Sequence, residues 1–271
     1  MKEFLTRTVS GLVYALVMIA SITIHPLVFL AVFLFILILG MYEFYKISSL
    51  PDSSPMRVSG IITGVILFLT FFFVRFTEAD HRILLLGPAA GLILMTLPMF
   101  SQKNNALRSG SLTFLGILYV AIPVTTFNLL VYHPYTDGFN YQVVLFLFLT
   151  LWLNDTGAYI TGKLLGKHKM FPRISPKKSW EGLAGGLMLA LLVTWLGRPL
   201  FPDIPSWHLW ILCPVIVLTG TLGDLVESSY KRAAGVKDSG NIMPGHGGIL
   251  DRFDSLILAA PAVYLIITFL T

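Results

Sequence analysis

The sequence predicts an all-α integral membrane protein with about nine transmembrane helices. Hydrophobic residues make up 55% of the 271 residues and charged residues only 12%, whereas an ordinary soluble domain carries about 25% charged residues. A soluble fold of this length could not cover its surface with so few charges. Apolar stretches of about 20 residues, the length that crosses a bilayer as a helix, recur along the whole chain.

Nine such stretches follow one another from the first residues to the last. The first is expected to be a retained helix rather than a signal peptide, because more spans follow at once and no small-residue cleavage site stands out after Ala20. Short polar turns join the first five spans, and two longer polar segments interrupt the last four. The predicted spans cover roughly residues 8–24, 27–45, 58–76, 83–100, 110–132, 141–162, 181–200, 206–228 and 253–270.

The distribution of Lys and Arg predicts how these spans are oriented. The N-terminus and the gaps after even-numbered spans hold 16 of the 19 basic residues, and the other three are Arg75, Arg82 and Arg198. Because basic residues mark the cytoplasmic side, we expect the N-terminus in the cytoplasm and the C-terminus outside. The net charge of +5 is then a topology signal that also favours anionic membrane lipids. It does not indicate nucleic acid binding.

The chain divides into two parts that differ in polar content. Residues 1–140 hold five spans, show no internal repeat and are expected to form a scaffold. Residues 141–271 hold four spans and are expected to form the catalytic region. An ionisable group within a span is costly unless it is paired or bound to metal, and by default it indicates function. Half of the 14 acidic residues are expected in, or at the mouth of, the two long cytoplasmic gaps of this second part: Asp155, Glu181, Asp224, Glu227, Asp238, Asp251 and Asp254.

The end of the eighth span and the start of the ninth carry closely spaced carboxylates. Asp224 and Glu227 are three residues apart and Glu227 and Lys231 four apart, so on a helix they share one face. Glu227 and Lys231 would form an intrahelical ion pair or serve a site, whereas Asp224 needs a cation from elsewhere. Asp251 and Asp254 lie one turn apart on the next helix. Oxygen ligands without Cys or His clusters suit Mg²⁺ rather than Zn²⁺.

Two polar segments could bind phosphate. Gly245, Gly247 and Gly248 surround His246 and give a flexible backbone whose N–H groups can approach phosphate oxygens closely. His246 would either contact the substrate or form only local hydrogen bonds.

The other segment, Ser175 to Gly182, holds two lysines between a proline and a helix start, and is harder to explain as a lipid-surface anchor than Lys163 to Lys169. Acidic clusters for metal together with fixed lysines are the parts of phosphoryl and nucleotidyl transfer. The sequence contains no P-loop and no Gly-x-Gly-x-x-Gly motif.

From Ser228 to Asp254 the sequence resembles the signature of the phosphatidate cytidylyltransferases (CDP-diacylglycerol synthases). Two further stretches resemble family segments: Ser175 to Gly182, and Asn154 to Tyr159. Tyr230 and Met243 depart from the signature at positions that usually carry other apolar residues. The motifs cover the C-terminal half of the chain, and the first 140 residues agree only in being apolar spans. The matching positions are Ser228, Lys231, Arg232, Lys237, Asp238, Gly240, Pro244, His246, Gly247, Gly248, Asp251, Arg252 and Asp254.

The resemblance implies that CTP and phosphatidate react to give CDP-diacylglycerol and pyrophosphate, with Mg²⁺ required. It implies a metal site of Asp224, Asp251 and Asp254, with Glu227 as a further ligand or part of a second cation site. Lysines and an arginine would neutralise the phosphates, and the remaining residues would position substrate. The implied phosphate-neutralising residues are Lys177, Lys178, Lys231, Lys237 and Arg252, and the other site residues are Asn154, Asp155, Ser175, Asp238, His246, Gly247 and Gly248.

Other functions remain open on the residues alone. A CTP-dependent lipid kinase of the polyprenol or phytol type would use the same nucleotide but would attack its γ-phosphorus. A secondary transporter would place carboxylates near the bilayer midplane, usually with inverted repeats, and a membrane scaffold would tolerate their loss. Short loops without an added soluble domain favour a bacterial inner-membrane protein whose active site faces the cytoplasm. Apolar spans with glycine-bearing faces permit a homodimer.

Overall fold

The structure is a computed structural model that describes residues 2–50, 52–100, 105–242 and 247–271, with side chains from residue 8 onward. Helices make up most of the described chain, and the only named strands in it form one antiparallel hairpin. The described residues include eight helices that are long and apolar enough to cross a membrane. The prediction of an all-α membrane protein is therefore confirmed.

The helices follow the predicted spans in order. The first predicted span is helix α1, of which Thr8–Thr23 is a shorter apolar stretch. The fourth span combines a 3-10 turn with α4, and the fifth contains a π-helical segment at Ile117–Ala121 between α5 and α6. The helices are α1 (Lys2–Thr23), α2 (Pro26–Ile47), α3 (Arg57–Thr77), α4 (Leu86–Thr96), α5 (Ala106–Gly116), α6 (Ile122–Val131), α7 (Gln142–Leu165), α8 (Trp180–Gly197), α9 (Ser206–Ala233) and α10 (Leu250–Leu270).

The chain folds into two compact units. The first unit comprises Met1–Leu129 together with Ala233–Phe253, and the second comprises Leu130–Arg232 together with Asp254–Thr271. The division expected near residue 140 lies close to the first of these boundaries. The segment Ala233–Phe253, which carries part of the family signature, groups with the N-terminal helices. A helix that is continuous in the chain, α10, begins in the first unit and ends in the second.

The first unit packs around the buried aromatic face of α2. The rings of Phe29 and Phe33 stack at 4.4 Å, and Phe33 meets Phe127 of α6 at 4.9 Å. Near the other end of α2 the buried Tyr45 hydroxyl donates a hydrogen bond to the Thr113 carbonyl at 2.8 Å. Gly116 lies directly against the Tyr45 ring, where a larger side chain would clash. These contacts fix α2 against α3, α5 and α6.

The second unit is organised by the close packing of α7 on α8. A Cβ at Gly186 of α8 would lie only 2.7 Å from the Asn154 carbonyl of α7, and one at Gly157 would lie 3.0 Å from Gly185 and Gly186, so glycines let the two helix axes approach closely. The hairpin of β1 (Lys169–Phe171) and β2 (Ser175–Ser179) connects these helices. Ser179 then caps α8, because its Oγ accepts a hydrogen bond from the Gly182 N–H at 3.1 Å. The hairpin lysines are thereby held at the start of α8.

Candidate active site

Helix α9 carries a buried ion pair on the face that the spacing predicted. The Lys231 Nζ lies 2.6 Å from the Glu227 Oε2, and the Glu227 side chain is 0% exposed. A residue pair four apart on a helix can pair in this way without long-range folding. Such burial is tolerated because each charge compensates the other. The structure thus confirms the intrahelical pair.

The cation that Asp224 requires comes from the hairpin. The Lys178 Nζ of β2 lies 2.5 Å from the Asp224 Oδ2, and both side chains are partly exposed. The Ser228 hydroxyl, one turn along α9, donates to the Asp224 Oδ1 at 3.1 Å. The sequence predicted that such a cation exists but could not identify Lys178, which is far from Asp224 along the chain.

Asp254 of α10 completes a cluster of three carboxylates, which we call the acidic triad. Each member, Asp224, Glu227 and Asp254, offers an oxygen within 4.8 Å of the others. Gly223 allows this proximity, because its Cα lies against the backbone carbonyl of Asp254 and leaves no room for a Cβ. Within the described ranges no other three Asp, Glu, His or Cys side chains come together in this way. Hard oxygen ligands at such separations fit Mg²⁺.

A cavity of about 520 Å³ lies beside the triad in the second unit. Its volume falls within the range of about 300 to 1,000 Å³ that is usual for small-molecule sites. The predicted residues Asn154 and Asp155 of α7 line it, together with Lys177 and Lys178 of β2. Ser175 begins the same strand. The structure therefore brings together the α7 and hairpin residues that the sequence placed in the substrate site.

Two contacts hold the hairpin and were not predicted as part of the site. The His168 ring Nδ1 lies 2.5 Å from the Glu181 Oε1, and the His168 N–H donates to the same carboxylate at 3.1 Å. Glu181 lies in the first turn of α8, where the helix dipole stabilises a negative charge. Glu181 was noted in the sequence, but nothing pointed to His168 as its partner.

In the first unit, Asp251 binds the backbone of its own segment. Its Oδ2 accepts hydrogen bonds from the Ser239 N–H at 2.9 Å, the Ser239 hydroxyl at 3.0 Å and the Gly248 N–H at 2.8 Å. Gly247 adopts a φ of +85°, which favours glycine, and its Cα lies close to the same oxygen. The anion that these glycines approach in the structure is therefore a carboxylate of the chain itself.

Glu43 of α2 is a buried acidic residue that the sequence analysis missed. Its carboxylate is buried, and it accepts hydrogen bonds from the N–H groups of Ile249 and Leu250 at 3.1 and 2.8 Å and from the Ser239 hydroxyl at 3.0 Å. The available signal was a single acidic residue within an otherwise apolar span. The acidic residues of the second half carry the same signal, but there they are accompanied by motifs.

The other predicted site residues of the first unit belong to the segment Ala233–Phe253. Lys237 and Asp238 are exposed. Arg252 is partly buried, and its Nε is buried without a hydrogen-bond partner among the described residues. His246 lies outside the described residues.

Comparison with known proteins extends the match beyond the motifs. A model of the "Cytidylyltransferase family" matches residues 5–270. Three staphylococcal proteins, each named phosphatidate cytidylyltransferase, are similar to this chain. The one from Staphylococcus saprophyticus is 43% identical over 181 residues, which cover 66% of this chain and 67% of that protein. The one from Staphylococcus epidermidis is 36% identical over 241 residues, covering 88% and 90%. The one from Staphylococcus aureus is 42% identical over 182 residues, covering 66% and 67%.

Proposed function

The chain belongs to the cytidylyltransferase family, and we propose that it is a phosphatidate cytidylyltransferase that makes CDP-diacylglycerol from CTP and phosphatidate. The acidic triad beside two paired lysines is the observation that carries this proposal. Three oxygen ligands and adjacent ammonium groups are what a reaction between two polyanions requires. The names of the similar staphylococcal proteins support the same substrates.

The reaction needs charge neutralisation more than proton transfer. A phosphate monoester has a second pKa near 6, so phosphatidate is largely dianionic at neutral pH. One of its oxygens attacks the α-phosphorus of CTP and forms a new P–O bond. The bond from the α-phosphorus to the bridging oxygen breaks, and pyrophosphate leaves with that electron pair. The main barrier is the repulsion between the two anions as they approach in line.

The acidic triad is the proposed metal site. Asp224, Glu227 and Asp254 would hold Mg²⁺, which when bound supplies neutralising charge to the phosphates. Asp251 was expected as a metal ligand together with Asp224 and Asp254, but its Oδ2 lies within hydrogen-bond distance of three donors of its own segment. We therefore propose that Asp251 orders this segment.

The lysines would bind the phosphates. Lys178 lies between Asp224 and the cavity, and its long side chain can exchange the carboxylate for a phosphate oxygen. Lys177 is exposed in the same cavity wall. Asn154 and Asp155 would position the nucleotide from α7, with Ser175 in support. Lys231, Lys237, Asp238, His246, Gly247 and Arg252 keep the roles that the family resemblance implies, whereas the Gly248 N–H already donates to Asp251.

The location proposed for the site suits a soluble and a membrane-bound substrate. With the N-terminus in the cytoplasm, the ends of α7, α9 and α10 that carry the motifs face the cytoplasm, as the 16 basic residues favour. CTP would enter from water, and phosphatidate would enter sideways from the leaflet with its phosphate at the level of the charged helix ends. We place the protein in the bacterial cell membrane.

The proposal is tested with the purified protein in detergent, labelled phosphatidate, Mg²⁺ and CTP. The expected products are a labelled CDP-lipid and pyrophosphate. Release of CDP with phosphorylation of an added polyprenol would instead identify a lipid kinase and overturn the proposal. Substrate flux into proteoliposomes without CTP, and no CDP-lipid, would identify a transporter.

A further inference from the structure

Among the described side chains of the first unit, the carboxylate of Glu43 is the most completely enclosed acidic group that the proposed chemistry does not use. Glu43 is 2% exposed and lies near the end of α2, more than 190 residues before its partners. An ionised carboxylate at such depth is costly unless hydrogen bonds satisfy it. The donors that do so all belong to the family signature segment: Ser239, Ile249 and Leu250.

The backbone around Glu43 is shaped to this carboxylate. A Cβ at Gly240 would overlap the Glu43 Oε1, and a Cβ at Gly248 would overlap both carboxylate oxygens. These two glycines therefore permit the segment to close around Glu43. The Ser239 hydroxyl lies 3.0 Å from an oxygen of both Glu43 and Asp251. A hydroxyl has one hydrogen, so Ser239 lies between the two carboxylates and donates to one of them at a time.

Glu43 and Asp251 together accept hydrogen bonds from the N–H group of the first residue of α10 and from those of the two residues before it. The first N–H groups of a helix have no partner within the helix and carry its positive dipole end. Here the Gly248 N–H donates to Asp251, and the N–H groups of Ile249 and Leu250 donate to Glu43. A charge on α2 thus fixes where α10 begins. Asp254 follows four residues after Leu250 on the same helix, at a rise of about 1.5 Å per residue.

We infer that Glu43 is a positioning residue of the transferase reaction, holding Ser239 and the first turn of α10 so that the following turn presents Asp254. This inference rests on the proposed function. It gives the N-terminal half of the chain a role beyond that of a scaffold. Glu43 acts through α10 and is not itself expected to touch substrate or metal.

The first test is Glu43→Gln, which keeps the size of the side chain but removes its charge and replaces one acceptor with a donor. We expect kcat to fall about 100-fold, as displacement of a reacting group by about 1 Å can cause, while the KM for CTP changes little. Glu78→Gln is the matched control, because Glu78 is exposed at the end of α3 and should retain full activity. An unchanged kcat in Glu43→Gln, with only a lower unfolding temperature, would reduce Glu43 to a structural residue and overturn the inference.

The second test measures amide hydrogen exchange in the peptide that contains Gly248, Ile249 and Leu250, with no substrate. We expect faster exchange in Glu43→Gln than in the wild type, since one of these N–H groups loses its acceptor and the other keeps only a neutral amide oxygen. If the wild type forms no CDP-lipid, the proposed function fails. The exchange measurement then decides by itself whether Glu43 holds the start of α10. Equal exchange in both proteins would refute it.

Ser239→Ala keeps the inference testable if Glu43→Gln does not fold. It removes the hydroxyl that links Glu43 with Asp251 and leaves both carboxylates in place. We expect a smaller fall in kcat, of about 10-fold, by the same displacement mechanism. If Ser239→Ala kept both the wild-type kcat and the wild-type exchange, the proposal that Glu43 and Ser239 hold the first turn of α10 would be contradicted. Where both single variants fold, the effects of Glu43→Gln and Ser239→Ala should be less than additive, because the residues share one contact.

Discussion

The two units stabilise their carboxylates in different ways. In the second unit, Asp224 and Glu227 pair with the ammonium groups of Lys178 and Lys231 at 2.5 and 2.6 Å. In the first unit, Glu43 and Asp251 accept hydrogen bonds from backbone N–H groups and the Ser239 hydroxyl. Both arrangements compensate the cost of removing a charge from water.

The difference indicates which carboxylates can take part in chemistry. A lysine side chain is flexible and can exchange its carboxylate for a phosphate or give way to a metal ion. A backbone N–H at a helix start is fixed by the fold and cannot leave without unfolding that turn. The lysine-paired carboxylates are therefore suited to bind ligands, and the amide-bound carboxylates are suited to hold geometry. For these four residues the donors distinguish the two roles. Asp254, whose Oδ1 accepts a hydrogen bond from the Ser255 N–H at 2.6 Å, is assigned to the metal site by its place in the acidic triad.

The largest effect is expected from Asp224→Asn. This change removes one charge from the acidic triad, and we expect turnover to fall about 1,000-fold, the upper range for loss of a group that stabilises charge in the transition state. The unfolding temperature should hardly change, because Asp224 and Lys178 are both partly exposed. Steady-state kinetics at several Mg²⁺ concentrations and thermal unfolding in detergent measure both effects.

Asp251→Asn is the matched counterpart in the first unit. It also lowers activity, but it should lower the unfolding temperature as well, since a hydrogen bond to a charged acceptor contributes about 1.5 to 3 kcal/mol. The Mg²⁺ dependence should be shifted by Asp224→Asn and not by Asp251→Asn. If Asp251→Asn shifted the Mg²⁺ dependence while leaving stability intact, Asp251 would be the metal ligand that the sequence suggested, and the contrast between the units would fail.

The membrane helices could be predicted from the sequence because length and hydropathy determine them locally. The predicted boundaries failed where motif residues lie inside helices. Helix α9 continues to Ala233, and α10 begins at Leu250, whereas the predicted spans ended at 228 and began at 253. Asp251 and Arg252 lower the local hydropathy although they belong to the helix. Charged residues at a helix end therefore make the apolar stretch appear shorter than the helix.

The site could be predicted only where its contacts are local in sequence. The Glu227 and Lys231 pair follows from the helical period. The contacts of Lys178 with Asp224 and of Glu43 with the start of α10 depend on tertiary packing, which one sequence does not specify. Glu43 was missed because no motif accompanies it, although a lone acid in an apolar span is by default an indication of function.

The next largest effect concerns the buried pair of α9. Lys231→Met removes the ammonium from a fully buried Glu227, and loss of one partner of a buried pair costs about 3 to 5 kcal/mol. The double variant Lys231→Met with Glu227→Gln should recover most of that stability but not activity. Arg108→Met is the control, since Arg108 and Asp52 form an exposed pair at 3.1 Å and such pairs contribute about 1 kcal/mol or less. Equal destabilisation by both lysine and arginine changes would contradict the prediction.

The smallest effect tests a buried ionisable residue of the second unit that is held neutral. His133 is 1% exposed in the loop after α6, and its Nδ1 accepts a hydrogen bond from the Tyr135 N–H at 3.1 Å. Burial lowers the pKa of His133 to about 4, although Asn140 and Asp203 oppose this shift.

The unfolded chain, with a His pKa near 6.5, therefore binds a proton that the folded protein excludes between about pH 6.5 and 4. The free energy of unfolding should be fully retained above pH 6.5 and should fall on acidification through this window. The loss is at most about 3 kcal/mol. Thermal unfolding from pH 8 to 4.5 should show a steeper loss for the wild type than for His133→Gln. His25→Gln, which changes an exposed histidine, should behave like the wild type. If His133→Gln also kept the wild-type slope, His133 would not be the buried neutral group responsible, and the acid sensitivity would have to come from the carboxylates compared above.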